Sequence, residues 1–101
     1  MKLRVPSNVQ REIREAAEYY EAERAGLGDR FWQELDLHIR WILANPTMSR
    51  LRPGNYRRVN LKIFPYYIAY AIRDDAIILL AVAHGYRKPQ YWTETPKESD
   101  Q

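Results

Sequence analysis

A chain of 101 residues holds one domain with a thin core, and its 46% apolar and 13% aromatic content suffices for that core and excludes a disordered chain. The absence of cysteine excludes disulfide scaffolds and thiolate metal sites and suits a cytoplasmic protein. The formal charge of +3 is small but uneven: residues 1–36 carry eight acids and six bases, whereas Leu37 to Arg73 carry seven bases and no acid.

Met1 to Pro6 lacks the apolar stretch of a secretory signal. Lys2–Val5 alternates polar and apolar residues, which predicts a short edge strand stopped by Pro6. Ser7 followed by Gln10 has the capping-box spacing, and Val9, Ile13, Ala16, Ala17 and Tyr20 then recur at helical intervals. Glu12, Glu15, Glu18 and Glu21 read as the solvated side of this helix. Gly26 is placed to stop it. A second helix opens at Gly28-Asp29 with Asp29 as its cap, and Phe31, Leu35, Ile39 and Ile42 form its stripe. Trp32, Trp41 and Leu43 widen that stripe, so both tryptophans are expected in the packing. Asn45-Pro46 ends the helix, because a residue before proline leaves the α region. The short connection makes the two helices an antiparallel hairpin.

Thr47–Asn55 is a loop, turning at Pro53-Gly54-Asn55. Tyr56–Ile63 alternates strictly, with Arg58, Asn60 and Lys62 on one face and Val59, Leu61 and Ile63 on the other. Phe64-Pro65-Tyr66 breaks the strand. Tyr67–Arg73 and Ala76–His84 follow, joined at Asp74-Asp75. The second run is apolar on both faces and reads as an interior strand; at this length it is also far too short to span a membrane. The expected fold is α+β, in the order β-α-α-β-β-β. An antiparallel sheet carries the helical hairpin on one face, leaving the face of Arg58 and Lys62 open to water or a ligand. Residues 1–93 form the domain and 94–101 a polar, mobile tail.

The four glycines are scattered, so no phosphate-cradling loop exists. His38 and His84 are not at a metal-ligand spacing, and no cofactor or metal is expected. The acid-free basic stretch, with Arg57, Arg58, Lys62 and Arg73 on or beside strands, points instead to a polyanionic partner.

Several motifs recur in a definite order. Tyr19-Tyr20 lies late in the first helix, Gly26-Leu27-Gly28 precedes Phe31, and Asn45-Pro46 closes the second helix. Arg57-Arg58, Phe64-Pro65-Tyr66 and His84 follow, then Arg87, Pro89, Tyr91 and Trp92. In this order they resemble the RelE/ParE superfamily of type II toxins, the growth-arresting, plasmid-stabilising partners of toxin–antitoxin modules. Lys88 departs from the pattern, since relatives often have an acid between the arginine and the proline. The resemblance implies a cognate antitoxin in a toxin–antitoxin hetero-oligomer. It also implies one of two targets: RelE-like members cleave mRNA in the ribosome, and ParE-like members poison DNA gyrase.

Cleavage of RNA requires a base for the 2′-oxygen, positive charge at the phosphate and an acid for the leaving 5′-oxygen. His84 suits the base or acid, because imidazole titrates near neutral pH. Arg58, Lys62 and Arg87 suit the phosphate, and Tyr91 suits base stacking or proton donation. The candidate catalytic set is therefore His84, Arg87 and Tyr91, beside an anion-binding set of Arg57, Arg58, Lys62 and Arg73. Each has a plainer reading. His84 can be an ordinary strand-end histidine, and the cations a solvated face or a seat for an acidic antitoxin. Tyr91 and Trp92 can pin the C-terminal segment to the core. The competing class is a non-catalytic basic module that binds RNA or an acidic protein.

Overall fold

The computed structural model describes residues 1–87 and 90–93. Its elements are β1 (Lys2–Arg4), α1 (Ser7–Glu23), α2 (Leu27–Ala44), β2 (Arg57–Asn60), β3 (Tyr66–Arg73), β4 (Ala76–His84) and a 3₁₀ turn at Tyr91–Thr93. The sheet order is β1-β4-β3-β2. β2, β3 and β4 form an antiparallel meander, and β1 adds to the free side of β4 in parallel, Leu3 opposite Ile77. The sheet is therefore mixed. Ala76–His84 is an interior strand between β1 and β3, as its two apolar faces require.

The hairpin packs on one face of the sheet. Val9, Ile13, Ala16 and Ala17 of α1 and Phe31, Leu35 and Ile42 of α2 meet Ile68, Tyr70, Ile77, Leu79 and Val82 in the main core. Gly28 lets the helices approach closely: a Cβ there would stand 2.8 Å from the Ala17 carbonyl oxygen and 2.9 Å from Glu21 Oε1.

Both expected caps form differently. No side chain caps α1, and Gln10 Nε2 donates to the Val5 carbonyl at 2.8 Å. Gly26, at φ 91°, precedes α2, and Asp29 sits within its first turn, where a carboxylate complements the helix dipole. The capping acceptor is Glu21, whose carboxylate takes the N–H groups of Gly26 and Gly28 at 3.0 and 2.9 Å. Glu21 is thus not simply a solvated side chain. Trp32 and Trp41 do not join the packing; they are 48% and 41% exposed. With two helices on one small sheet, α2 buries a stripe narrower than the one its sequence offers.

The strand predicted over Tyr56–Ile63 stops at Asn60. Glu34, buried on α2, accepts the N–H groups of Lys62 and Ile63 at 2.7 and 3.1 Å and bends the chain out of the ladder. Ile63 is consequently 53% exposed rather than directed inward. Lys62 leaves the sheet face that period-two logic had it share with Arg58.

Candidate functional site

The helix-free face is not bare. Tyr56, Tyr67, Ala69, Ala81, Ala83 and Tyr91 form a second, smaller core there, with Leu80 and Trp92 packed against it. The alanines keep this face shallow, and the C-terminal segment lies across it. Trp92 meets Tyr56 edge-on at 5.1 Å between ring centroids, and Gln90 Nε2 donates to the Pro53 carbonyl at 3.0 Å.

Two guanidiniums lie over two tyrosine rings on this face. The Arg58 Cζ stands 4.0 Å from the Tyr67 centroid, and the Arg87 Cζ stands 3.8 Å from the Tyr91 centroid. A cation over a ring is attracted by its quadrupole, so each arginine is oriented as well as placed. Asn60 Oδ1 accepts Arg58 Nε at 3.0 Å and fixes it further. Glu12 reaches the group from α1. Its Oε1 accepts the Val82 N–H at 3.0 Å, and its Oε2 accepts the Tyr91 hydroxyl.

The electrostatics follow from this packing. Burial raises the Glu12 pKa above 4.5, although the Tyr91 and Val82 bonds and the charges of Arg87 and Arg11 oppose the rise. Burial also pushes the Tyr91 hydroxyl far up, and its bond to the Glu12 carboxylate adds to this. Tyr67 rises through burial as well, with Arg58 and Arg87 pulling back and Glu12 and Tyr56 adding. The Tyr67 hydroxyl is buried with no hydrogen-bond partner among the described residues.

Of the residues singled out from the sequence, Arg58, Arg87 and Tyr91 come together here. His84 does not. Its ring meets Tyr66 at 5.6 Å, and Tyr66 belongs to the helix-side aromatic group of Tyr20, Phe31 and Phe64. Its Nδ1 accepts the Tyr86 N–H at 3.2 Å, and the exposed Tyr86 ring stacks on it at 5.2 Å. Arg57 pairs with Tyr70 and so faces the helix side, where its Nη1 donates to the Ser49 and Thr47 carbonyls at 2.6 and 3.3 Å. Lys62 lies in the turn after β2, and Arg73 at the far end of β3. Lys88, Pro89 and residues 94–101 lie outside the described residues.

Glu12 was missed. Its spacing matches that of its exposed neighbours Glu15 and Glu18, and nothing local distinguishes it. Among the described residues, no helix is long and apolar enough to cross a membrane.

Comparison with known proteins agrees with this architecture. A solved structure described as the chromosomal ParDE toxin–antitoxin system from P. aeruginosa shares the fold at a TM-score of 0.69 with 13% identity, covering 83% of this chain and 95% of that one. Toxin ParE2 of two Mycobacterium tuberculosis strains is 34% identical over 89 residues, which are 87% of this chain and 85% of the relative. The family model for the ParE toxin of the type II toxin–antitoxin system parDE matches residues 3–89. The chain therefore belongs to the ParE toxin family of type II toxin–antitoxin systems.

Proposed function

We propose that this protein arrests growth from the cytoplasm by binding and poisoning DNA gyrase, rather than by cutting mRNA, and that its cognate antitoxin holds it in an inactive hetero-oligomer. The observation that carries the reading is the separation of His84 from the Arg58–Arg87–Tyr91 group. Metal-independent RNA cleavage needs base, cation and acid at one phosphate. Here the imidazole packs with the helix-side aromatics, while the cations lie on the other face. Tyr91, with its hydroxyl donated to Glu12 and its pKa pushed up, is a poor proton donor. A surface of oriented arginines and aromatic rings suits recognition of a large partner. The antitoxin follows from the family.

The test pairs two assays on the purified toxin. Gyrase-linked DNA breaks and loss of supercoiling, with transcripts left intact in a translating extract, are the expected result. Transcript cleavage without a gyrase effect overturns the proposal. Cleavage has one observation in its favour: Glu12, a half-buried carboxyl with a raised pKa, touches Tyr91 beside Arg87. Loss of that cleavage in Glu12→Gln would establish the alternative. Normal growth from well-folded toxin, with binding that falls steeply with salt, would leave a non-catalytic interaction module.

A further inference from the structure

The four strands contain no acidic residue, and their alternation sorts the cations by face. Leu3 pairs with Ile77 of the main core and Val5 packs against that core, so Lys2 and Arg4 point to the helix-free side. There they stand beside their β4 partners, Ala76 and Ile78. Arg73 pairs with Ala76 from the other side and follows Tyr67 and Ala69 by alternation along β3, so it points the same way. Arg52 bridges to Tyr56, a member of the helix-free core, and directly opposed residues share a face. Lys2 and Arg73 are thus about 10 Å apart, two strand spacings, and Arg4 lies about 7 Å along β1 from Lys2.

These four cations gather at the end of the face next to the β3–β4 turn. Lys2, Arg4 and Arg73 are exposed and Arg52 is half-buried. The ion pairs among the described residues, His38–Glu34 and Arg40–Asp36, both lie on α2 and neutralise none of them. Asp74 and Asp75 follow in the turn and pair with none of the four. Glu12 is engaged at Val82 and Tyr91, in the other half of the face. Tyr91 and Trp92 pack in that half too, with Tyr67, Ala81 and Ala83. The floor between the cations is Ala71, Ala76 and Ile78, which belong to neither core cluster.

We propose that this end of the helix-free face binds the phosphate backbone of duplex DNA. Unneutralised cations on both sides of a low floor suit the two phosphate rows that border a groove, and the alanines let the backbone approach. A single strand is held instead by bases stacked on open rings. The rings on this side do not serve: Tyr56, Tyr67 and Tyr91 are buried, and Trp92 packs on Tyr56. A protein partner is anchored by large side chains in pockets, whereas this floor is small and apolar and the charged groups around it are all cations. Of the sequence-derived anion-binding set only Arg73 belongs here; Lys2, Arg4 and Arg52 join it through the register. The choice of DNA over an RNA duplex rests on the gyrase reading above, because gyrase acts on DNA.

The test titrates a short fluorescent DNA duplex with the purified full chain at several salt concentrations. With four phosphates neutralised, log affinity should fall against log salt with a slope of about −3.6. Arg4→Gln and Arg73→Gln should each weaken low-salt binding about tenfold, the scale of one lost charge-assisted contact. Each should also bring the slope to about −2.7. Both positions are exposed, so the variants keep the fold, and an unchanged unfolding midpoint verifies it. Arg30→Gln, at an exposed position on α2, removes the same charge and should leave affinity and slope nearly unchanged. Equal loss in Arg30→Gln, or no loss in Arg4→Gln and Arg73→Gln, overturns the proposal. So does tighter binding of the unpaired strand or of an RNA duplex, or poly-glutamate binding as tightly as the DNA. Failure to bind the duplex by toxin that poisons gyrase overturns this contact alone. Duplex binding by toxin that leaves gyrase untouched overturns the gyrase reading alone.

Discussion

Glu12 ties together three segments distant in sequence: α1, the edge of β4 at Val82 and the C-terminal turn at Tyr91. Replacing it with alanine removes the carboxylate that accepts the Tyr91 hydroxyl and the Val82 N–H, at a cost of about 2 kcal/mol in urea unfolding. Its titration has a definite sign. The folded pKa lies above the 4.5 of a free glutamate, so the native state takes up the proton first as pH falls. Stability contributed by this group is therefore gained as pH drops from the folded value through 4.5, and lost as pH rises again. Glu12→Gln, which cannot titrate, should show a flatter acid-range stability profile than the parent in the same urea experiment. Gly28 is constrained differently. Gly28→Ala forces its Cβ against the Ala17 carbonyl and should cost about 2 kcal/mol, read as a lower thermal midpoint. A glycine just after a helix invites the reading of a C-cap, and the sequence does single out Gly26 in that role. The close approach at Gly28 is invisible in it, because that constraint comes from the opposite helix.

Among the elements, the two helices and the meander were legible because each buries one face and repeats at its own period. Phe31, Leu35 and Ile42 are buried at the spacing that marked them, and Ile68, Leu79 and Val82 likewise. The end of β2 was not legible. Lys62 and Ile63 continue the alternation without a flaw, and only a carboxylate from α2 stops them. Glu34→Ala should leave those two N–H groups without their acceptor and cost about 2 kcal/mol, measured by denaturant unfolding. Hydrogen exchange localises the effect, with Lys62 and Ile63 amides losing protection while β3 and β4 keep theirs. The candidate site failed to be legible for a related reason. Alternation placed Arg58 correctly on the helix-free face, and it sets His84, two residues after Val82 in β4, on the helix side; the position of Arg87 depends on how the chain leaves β4 at Gly85, where no period applies.

At the scale of the molecule, β4 is the hub of the sheet, pairing in parallel with β1 and antiparallel with β3. Ile77 sits at the crossing, fully buried, opposite Leu3 on one side and Ile72 on the other. Ile77→Ala should cost about 3 kcal/mol by urea denaturation, a large share of the roughly 5–15 kcal/mol that holds a domain together. The same hub position governs the order in which the chain acquires its shape during synthesis. A ribosome makes β1, both helices and β2 long before β4, and until β4 emerges β1 has nothing to pair with. The main-core side chains Ile77, Leu79 and Val82 are missing for the same period. The nascent chain therefore carries a helical hairpin without its sheet, and the Arg58–Arg87–Tyr91 surface cannot assemble while β4 is still unmade.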